Sequence, residues 1–210
     1  MQGEITMIKN ILFDCAGVLT HMNFRGMMLE LSGSEEIADL FVTHLWQPGS
    51  PWHLYDKGEL NSQQIVGELV KFLPDPLHPY LQSIIDNFPD IFPPMDGMEE
   101  LVDELHQNGY SCYLLSNFPD RFDVMPARTP VLQKLDGLVV SCHIHMIKPH
   151  PATFLKTAEI LGIVPQETIF IDDSLPNVEG AKQAGMDGYH FSTPANLRSY
   201  FQSIGILPID

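Results

Sequence analysis

Three short apolar runs in this chain each end in polar side chains. Ile8-Lys9-Asn10-Ile11-Leu12-Phe13 ends in Asp14, Leu114-Leu115 in Ser116-Asn117, and Ile169-Phe170-Ile171 in Asp172-Asp173-Ser174. Runs this short and this apolar suit strands buried on both faces. An unpartnered buried carboxylate is costly, so an Asp at the tip of such a strand points to a bound metal, a cation or chemistry. Ligands of open α/β sheets bind beyond the carboxyl ends of the strands, which places Asp14, Ser116 and Asp172 along one crevice.

Strand-like runs near 8–13, 110–115, 137–141, 167–171 and 187–191 alternate with helical patterns. Met98, Leu101, Val102 and Leu105 repeat at helical spacing and stop at Asn108-Gly109. Pro151 to Leu161 starts with Pro and is followed by Gly162, and helices are also expected over Leu175 to Ala184 and Pro194 to Ile204. This alternation predicts an α/β core: a Rossmann-like, three-layer arrangement with a parallel sheet between helices. Residues 20–92 break the rhythm. They read as three or four helices without a strand, punctuated at Gln47-Pro48-Gly49-Ser50-Pro51, Pro74-Asp75-Pro76 and Phe92-Pro93-Pro94. The expected organisation is a core of 1–19 and 93–210 with a small helical cap subdomain, 20–92, inserted after the first strand.

Composition narrows the partners. A net charge of −16, with eleven Lys and Arg scattered along the chain, argues against nucleic acid, whose phosphates require clustered basic residues. An acidic surface also repels anionic substrates, so a phosphate site here must create its own positive potential. No run approaches the ~20 apolar residues of a membrane span. Met1-Gln2-Gly3-Glu4-Ile5 lacks the features of a signal peptide, and the expected location is cytoplasmic. The oligomeric expectation is a monomer or homodimer.

Cys15, Cys112 and Cys142 lie in or beside apolar runs and read as reduced core residues. Cys15 is no Cys-x5-Arg nucleophile, because the residue six positions on is His21. Cys142-His143-Ile144-His145 with His150 lacks paired ligand spacing, and strand alternation would put His143 and His145 on the face away from Cys142. There is no Gly-rich Walker loop.

Asp14 is the candidate nucleophile, since a carboxylate can attack phosphorus and split a hard hydrolysis into two steps. Asp172 and Asp173 are adjacent acids that resist joint ionisation without a cation. Hard oxygen ligands fit magnesium, which binds through one or two carboxylates, waters and substrate phosphate. The competing reading is that Asp173 or Ser174 caps the following helix, and Asn177 is placed to orient this loop.

With Lys148-Pro149 between the second and third runs, the order of these residues resembles the four motifs of the haloacid dehalogenase-like (HAD) superfamily, mostly magnesium-dependent phosphatases, over residues 8 to about 191. The resemblance implies that Asp14, the backbone carbonyl of Ala16 and Asp172 bind Mg2+, with Asp173 assisting. It further implies that Ser116, Asn117 and Lys148 hold the substrate phosphate, Ser116 and Lys148 acting in catalysis. Tyr55-Asp56-Lys57-Gly58-Glu59-Leu60 looks like a segment common in helical caps of this family. Arg25 and His53, with Phe24, Trp46 and Trp52, are expected to shape the pocket for a small phosphorylated metabolite.

One position departs from the family pattern. Most family phosphatases carry an Asp two residues after the nucleophile, which protonates the leaving oxygen and later activates water; here that residue is Ala16. The departure favours good leaving groups, such as sugar 1-phosphates, or a replacement acid, for which His21 and His53 are the candidates. The alternatives to a phosphatase are a catalytically silent phosphate-binding protein and a metal-independent haloacid dehalogenase.

Overall fold

The computed structural model describes residues 7–209; the N-terminal stretch read for a signal peptide lies outside the described residues. Strands β1 (Asn10–Phe13), β2 (Ser111–Ser116), β3 (Gly137–Val140), β4 (Thr168–Asp172) and β5 (Asp187–His190) form a single sheet. Their order is β3-β2-β1-β4-β5, and every neighbouring pair is parallel. All five lie where the sequence predicts strands.

Alternation along β1 divides the core. Ile11 and Phe13 join one apolar cluster with Leu114, Ile169 and Ile171, while Leu12 faces the other way into a cluster with Leu115, Phe170 and Phe154. Helix α6 (Met98–Gln107) contributes Met98, Leu101, Val102 and Leu105 to the first cluster. Helices α9 (Pro151–Leu161) and α10 (Leu175–Gln183) supply Phe154, Ala158 and Ala181 to the second. Fully burying a side chain such as Phe13 or Phe154 is worth about 1.5–3 kcal/mol each.

The segment after β1 is helical as expected, but more divided: α1 (Phe24–Ser32), α2 (Glu35–Leu45), α3 (Trp52–Asp56), α4 (Ile65–Phe72) and α5 (Leu81–Asp86), with 3-10 turns at Asp75–Tyr80 and Phe88–Ile91. Pro76, Pro79 and Pro89, which lack the N–H that an α-helix interior needs, sit in the 3-10 turns, while Gly33, with φ +65°, ends α1. Short α7 (Pro130–Lys134) and α8 (Ser141–Ile144) flank β3, and α11 (Pro194–Ser203) follows β5.

The apolar cluster on the first face of the sheet runs without a break into these helices. Phe24, Trp52, Phe88, Phe92, Phe118 and Phe122 form a chain of ring contacts from α1 to the loop after β2, with neighbouring centroids 4.8 to 5.5 Å apart. One continuous core therefore supports both the sheet and the helical layer over its strand ends.

Candidate active site

Register brings the two key acids together. Phe13 lies opposite Ile171. The next residue, Asp14, donates its N–H to Ile171 O at 2.9 Å and so leaves β1 beside Asp172, the last residue of β4. Lys148, in the loop between α8 and α9, joins them: its Nζ lies 2.7 Å from Asp14 Oδ1 and 2.8 Å from Asp172 Oδ2. All three are buried, at 8% exposure for Asp14, 0% for Asp172 and 3% for Lys148. Such a triad is stable only when each charge keeps its partners, because desolvating an ion costs several kcal/mol.

Those partners are present. Cys15 N donates to Asp14 Oδ1 at 2.7 Å. Asp172 Oδ1 accepts from Ser174 N at 2.7 Å, and Asn177 Nδ2 donates to Oδ1 and Oδ2 of Asp172 at 3.2 and 3.0 Å. Asn177 thus orients Asp172, the role anticipated from the sequence. Ser174 stands at the N-cap position of α10 but makes no side-chain capping bond; the Asp172 carboxylate takes its N–H instead. The side-chain cap expected of Ser174 is therefore not made.

Burial sets the protonation balance. It pushes Asp14 up to about 7, with Lys148 opposing and the Asp172 charge adding. Burial alone would lower Lys148, but Asp14 and Asp172 outweigh it and hold the ammonium above its ordinary value. Asp173 is raised by burial and by Asp172, against Lys148.

Asp173 completes the cluster. Asp14, Asp172 and Asp173 can each offer a carboxylate oxygen, all within 4.8 Å of one another. Gly17 makes room for it: a Cβ there would lie 2.2 Å from Asp173 Oδ2, and its φ of +88° is one that side-chain-bearing residues rarely adopt. A set of hard anionic oxygens of this kind fits Mg2+.

Ser116 ends β2 opposite Val140 and is 1% exposed, at the same edge of the sheet as Asp14 and Asp172. Asn117 is committed to Lys148: its Oδ1 accepts from Lys148 N at 2.9 Å and its Nδ2 donates to Lys148 O at 3.0 Å. Ala16 is half-buried and lines a cavity of about 40 Å³ with Asn117, Phe118, Phe88, Phe92, Trp52 and Asp56. Trp46, Trp52 and Asp56 also line an outer pocket of about 220 Å³ that includes His53.

Arg25 is not brought to this cluster. Its guanidinium is held by Glu35 and by Asp39, the latter at 2.7 Å, in exposed ion pairs between α1 and α2. His21 and His53 are both exposed, and His53 Nδ1 donates to Ser50 O at 2.6 Å. The strand alternation expected through His143 and His145 fails, because β3 stops at Val140 and α8 begins at Ser141. His143 instead pairs with Asp123 at 3.2 Å, and His145 Nδ1 donates to Lys57 O at 3.1 Å. A groove of about 390 Å³ between Asn23, Glu30, Asn87 and Asp90 shares no residue with the acidic cluster.

The sequence places Asp56 only within the cap-like segment Tyr55–Leu60, and the fold brings it to the cavity that Ala16 lines. The available signal was an acid closing the short aromatic turn Trp52-His53-Leu54-Tyr55, just before Gly58.

A parallel sheet that gathers a buried lysine and three carboxylates at its carboxyl edge defines an α/β protein with an acidic, metal-type site. The chain belongs to the haloacid dehalogenase-like hydrolase family, whose model matches residues 8–185. Flavin mononucleotide hydrolase 1 of Arabidopsis thaliana is 28% identical over 112 residues, covering 53% of this chain and 46% of that one. The chain spans about half the length of the curated relatives it matches. A HAD family enzyme of Bacteroides thetaiotaomicron, solved with magnesium and inorganic phosphate, superposes with a TM-score of 0.66 at 24% identity, over 89% of this chain and 95% of that one. The L-2-haloacid dehalogenase of Xanthobacter autotrophicus, with chloropropionic acid covalently bound, gives 0.68 at 19% identity, over 96% and 85%.

Proposed function

We propose that the protein is a magnesium-dependent phosphomonoesterase of a small phosphorylated metabolite, sugar phosphates included, acting in the cytoplasm through an aspartyl-phosphate intermediate on Asp14. The observation that carries this reading is the Lys148 ammonium seated 2.7 Å from Asp14 and 2.8 Å from Asp172, with Asp173 completing three carboxylates. A flavin mononucleotide hydrolase among the relatives, and magnesium with phosphate in a structural neighbour, support it. Among the described residues no helix is long and apolar enough to cross a membrane.

Asp14, the Ala16 carbonyl, Asp172 and Asp173 would hold the ion. When bound, magnesium would offset the carboxylate charge and draw a phosphate oxygen to the site. Asp14 attacks phosphorus; Lys148 balances charge on Asp14 and on the transferring group; Ser116 donates to a phosphate oxygen. Asn117 keeps Lys148 in place. Three carboxylates against Mg2+ and Lys148 sum to about zero, so the phosphate is not repelled. Residues 20–92 act as the cap, with Trp46, Trp52 and His53 walling the pocket for the organic part.

A metal-free dehalogenase has no use for the Asp172-Asp173 pair. A silent phosphate-binding protein is the second reading, favoured by Ala16. Hydrolysis of 4-nitrophenyl phosphate with and without Mg2+ decides between them: magnesium-dependent turnover that Asp14→Asn abolishes supports the phosphatase. Phosphate binding without turnover supports the silent protein. Turnover unchanged in Asp14→Asn would rule out Asp14 as nucleophile.

A further inference from the structure

A phosphate ester with an alkoxide leaving group needs a proton donor on the side of phosphorus opposite the nucleophile. At this site Asp14, Asp172 and Asp173 are committed to Lys148 or to the metal cluster, and Ala16 carries no proton. Among the described residues that line the neighbouring cavity with Ala16, the one acid is Asp56, at the end of α3.

Its position is held from several sides. Tyr55 donates its hydroxyl to Asp120 Oδ1 at 3.0 Å, and Asp120 Oδ2 accepts from Ser62 N at 2.9 Å. Ser141 Oγ donates to Asp56 O and accepts from Phe118 N at 2.9 Å, tying α3 to the start of α8 and the loop after β2. Lys57 O accepts from His145. Gly58 packs so closely that a Cβ there would lie 2.5 Å from Cys142 O. The segment 55–58 is thus docked on the carboxyl edge of β2 and β3.

The cavities show where this carboxyl stands. The inner one, about 40 Å³, reaches Ala16 and Asn117, which adjoin the phosphoryl-binding residues. The outer one, about 220 Å³, opens between Trp46 and His53 and suits the organic part. Asp56 lines both, at the junction where the scissile P–O bond would lie, whereas His53 lines only the outer one.

We propose, resting on the phosphatase reading, that Asp56 is the acid–base residue of this enzyme, supplied by the helical layer in place of the side chain that Ala16 lacks. In the first step Asp14 bonds to phosphorus, the P–O bond to the leaving group breaks, and the departing oxygen takes the Asp56 proton. In the second step the Asp56 carboxylate takes a proton from water as the water oxygen bonds to phosphorus. The bond from phosphorus to Asp14 breaks, releasing phosphate and restoring the starting state. Burial holds Asp56 well above the ordinary carboxylate range; Lys148 opposes this and Asp14 adds to it.

The test is Asp56→Asn, assayed with Mg2+ on 4-nitrophenyl phosphate and on glycerol phosphate, with calorimetric binding of inorganic phosphate as a control for the fold. We expect phosphate binding to persist and glycerol phosphate turnover to fall about 10²- to 10⁴-fold. With the aryl ester we expect a burst of one nitrophenolate per enzyme followed by slow release, because only the second step then needs the missing base. Unchanged glycerol phosphate turnover, or equal losses on both esters without a burst, overturns the proposal. Should the variant not fold, the wild-type enzyme decides on a series of aryl phosphates. A shallow dependence of kcat/KM on leaving-group acidity is expected, and a steep one overturns the proposal. If the wild-type enzyme turns over neither ester with Mg2+, the phosphatase reading itself fails, and this proposal with it.

Discussion

Asn117 grips Lys148 by its main chain, accepting from its N–H at 2.9 Å and donating to its carbonyl at 3.0 Å. The side-chain amide thereby fixes the loop that carries the ammonium between Asp14 and Asp172, 31 residues farther along the chain.

Asn117→Ala removes both bonds. At about 0.5–1.5 kcal/mol each, the loss of stability should be about 1–3 kcal/mol, read as a lower urea midpoint at unchanged slope. Lys148 is then less well placed, so kcat should fall together with affinity for inorganic phosphate. Unaltered phosphate affinity would mean that the loop holds Lys148 without Asn117.

Asp172→Ala strips Lys148 of one of its two carboxylates and leaves Ser174 N and Asn177 Nδ2 without their acceptor. Breaking a buried pair in this way costs about 3–5 kcal/mol. Any activity that survives should need more Mg2+ for half-activation. An unchanged magnesium requirement would place the ion away from Asp172.

The pH dependence of the metal-free protein has a definite sign. Burial raises Asp14 to about 7, above its value in an unfolded chain, so between pH 4 and 7 the folded state binds more protons than the unfolded one. Stability should therefore fall as pH rises through this window and level off above it. Asp173, also raised, shifts stability in the same direction. Mg2+ favours the ionised acids, so its stabilising effect should grow from pH 5 to 7.5. Thermal melts with and without Mg2+ measure this, and Asp14→Asn should flatten the slope; an identical slope in that variant would remove Asp14 as its source.

Much of this architecture was legible from local pattern. Each predicted strand run formed a strand: β1 and β4 are largely apolar and buried along their whole length, which leaves such a segment few other ways to satisfy its backbone, while the edge strand β5, Asp187–His190, is only partly buried. The helical segment was legible as helix but not in its divisions, since prolines at 76, 79 and 89 produce 3-10 turns whose exact extent the sequence pattern leaves open. At 142–145 the alternation argument failed, because a four-residue helix carries no period of its own.

The sequence by itself determined that polar groups would end buried parallel strands and so share an edge, since the direction of each strand and the apolar period are properties of contiguous residues. Only the tertiary structure decided which distant side chains use that edge. Arg25, a plausible phosphate ligand by charge, is taken by Glu35 and Asp39. Asp56, read from the sequence only as part of a cap-like segment, is brought to the cavity that Ala16 lines by the docking of α3 and the residues after it on Ser141, Cys142 and His145. Those contacts join residues some 85 positions apart, as in the Ser141–Asp56 bond, and no short-range pattern encodes a meeting across that length of chain.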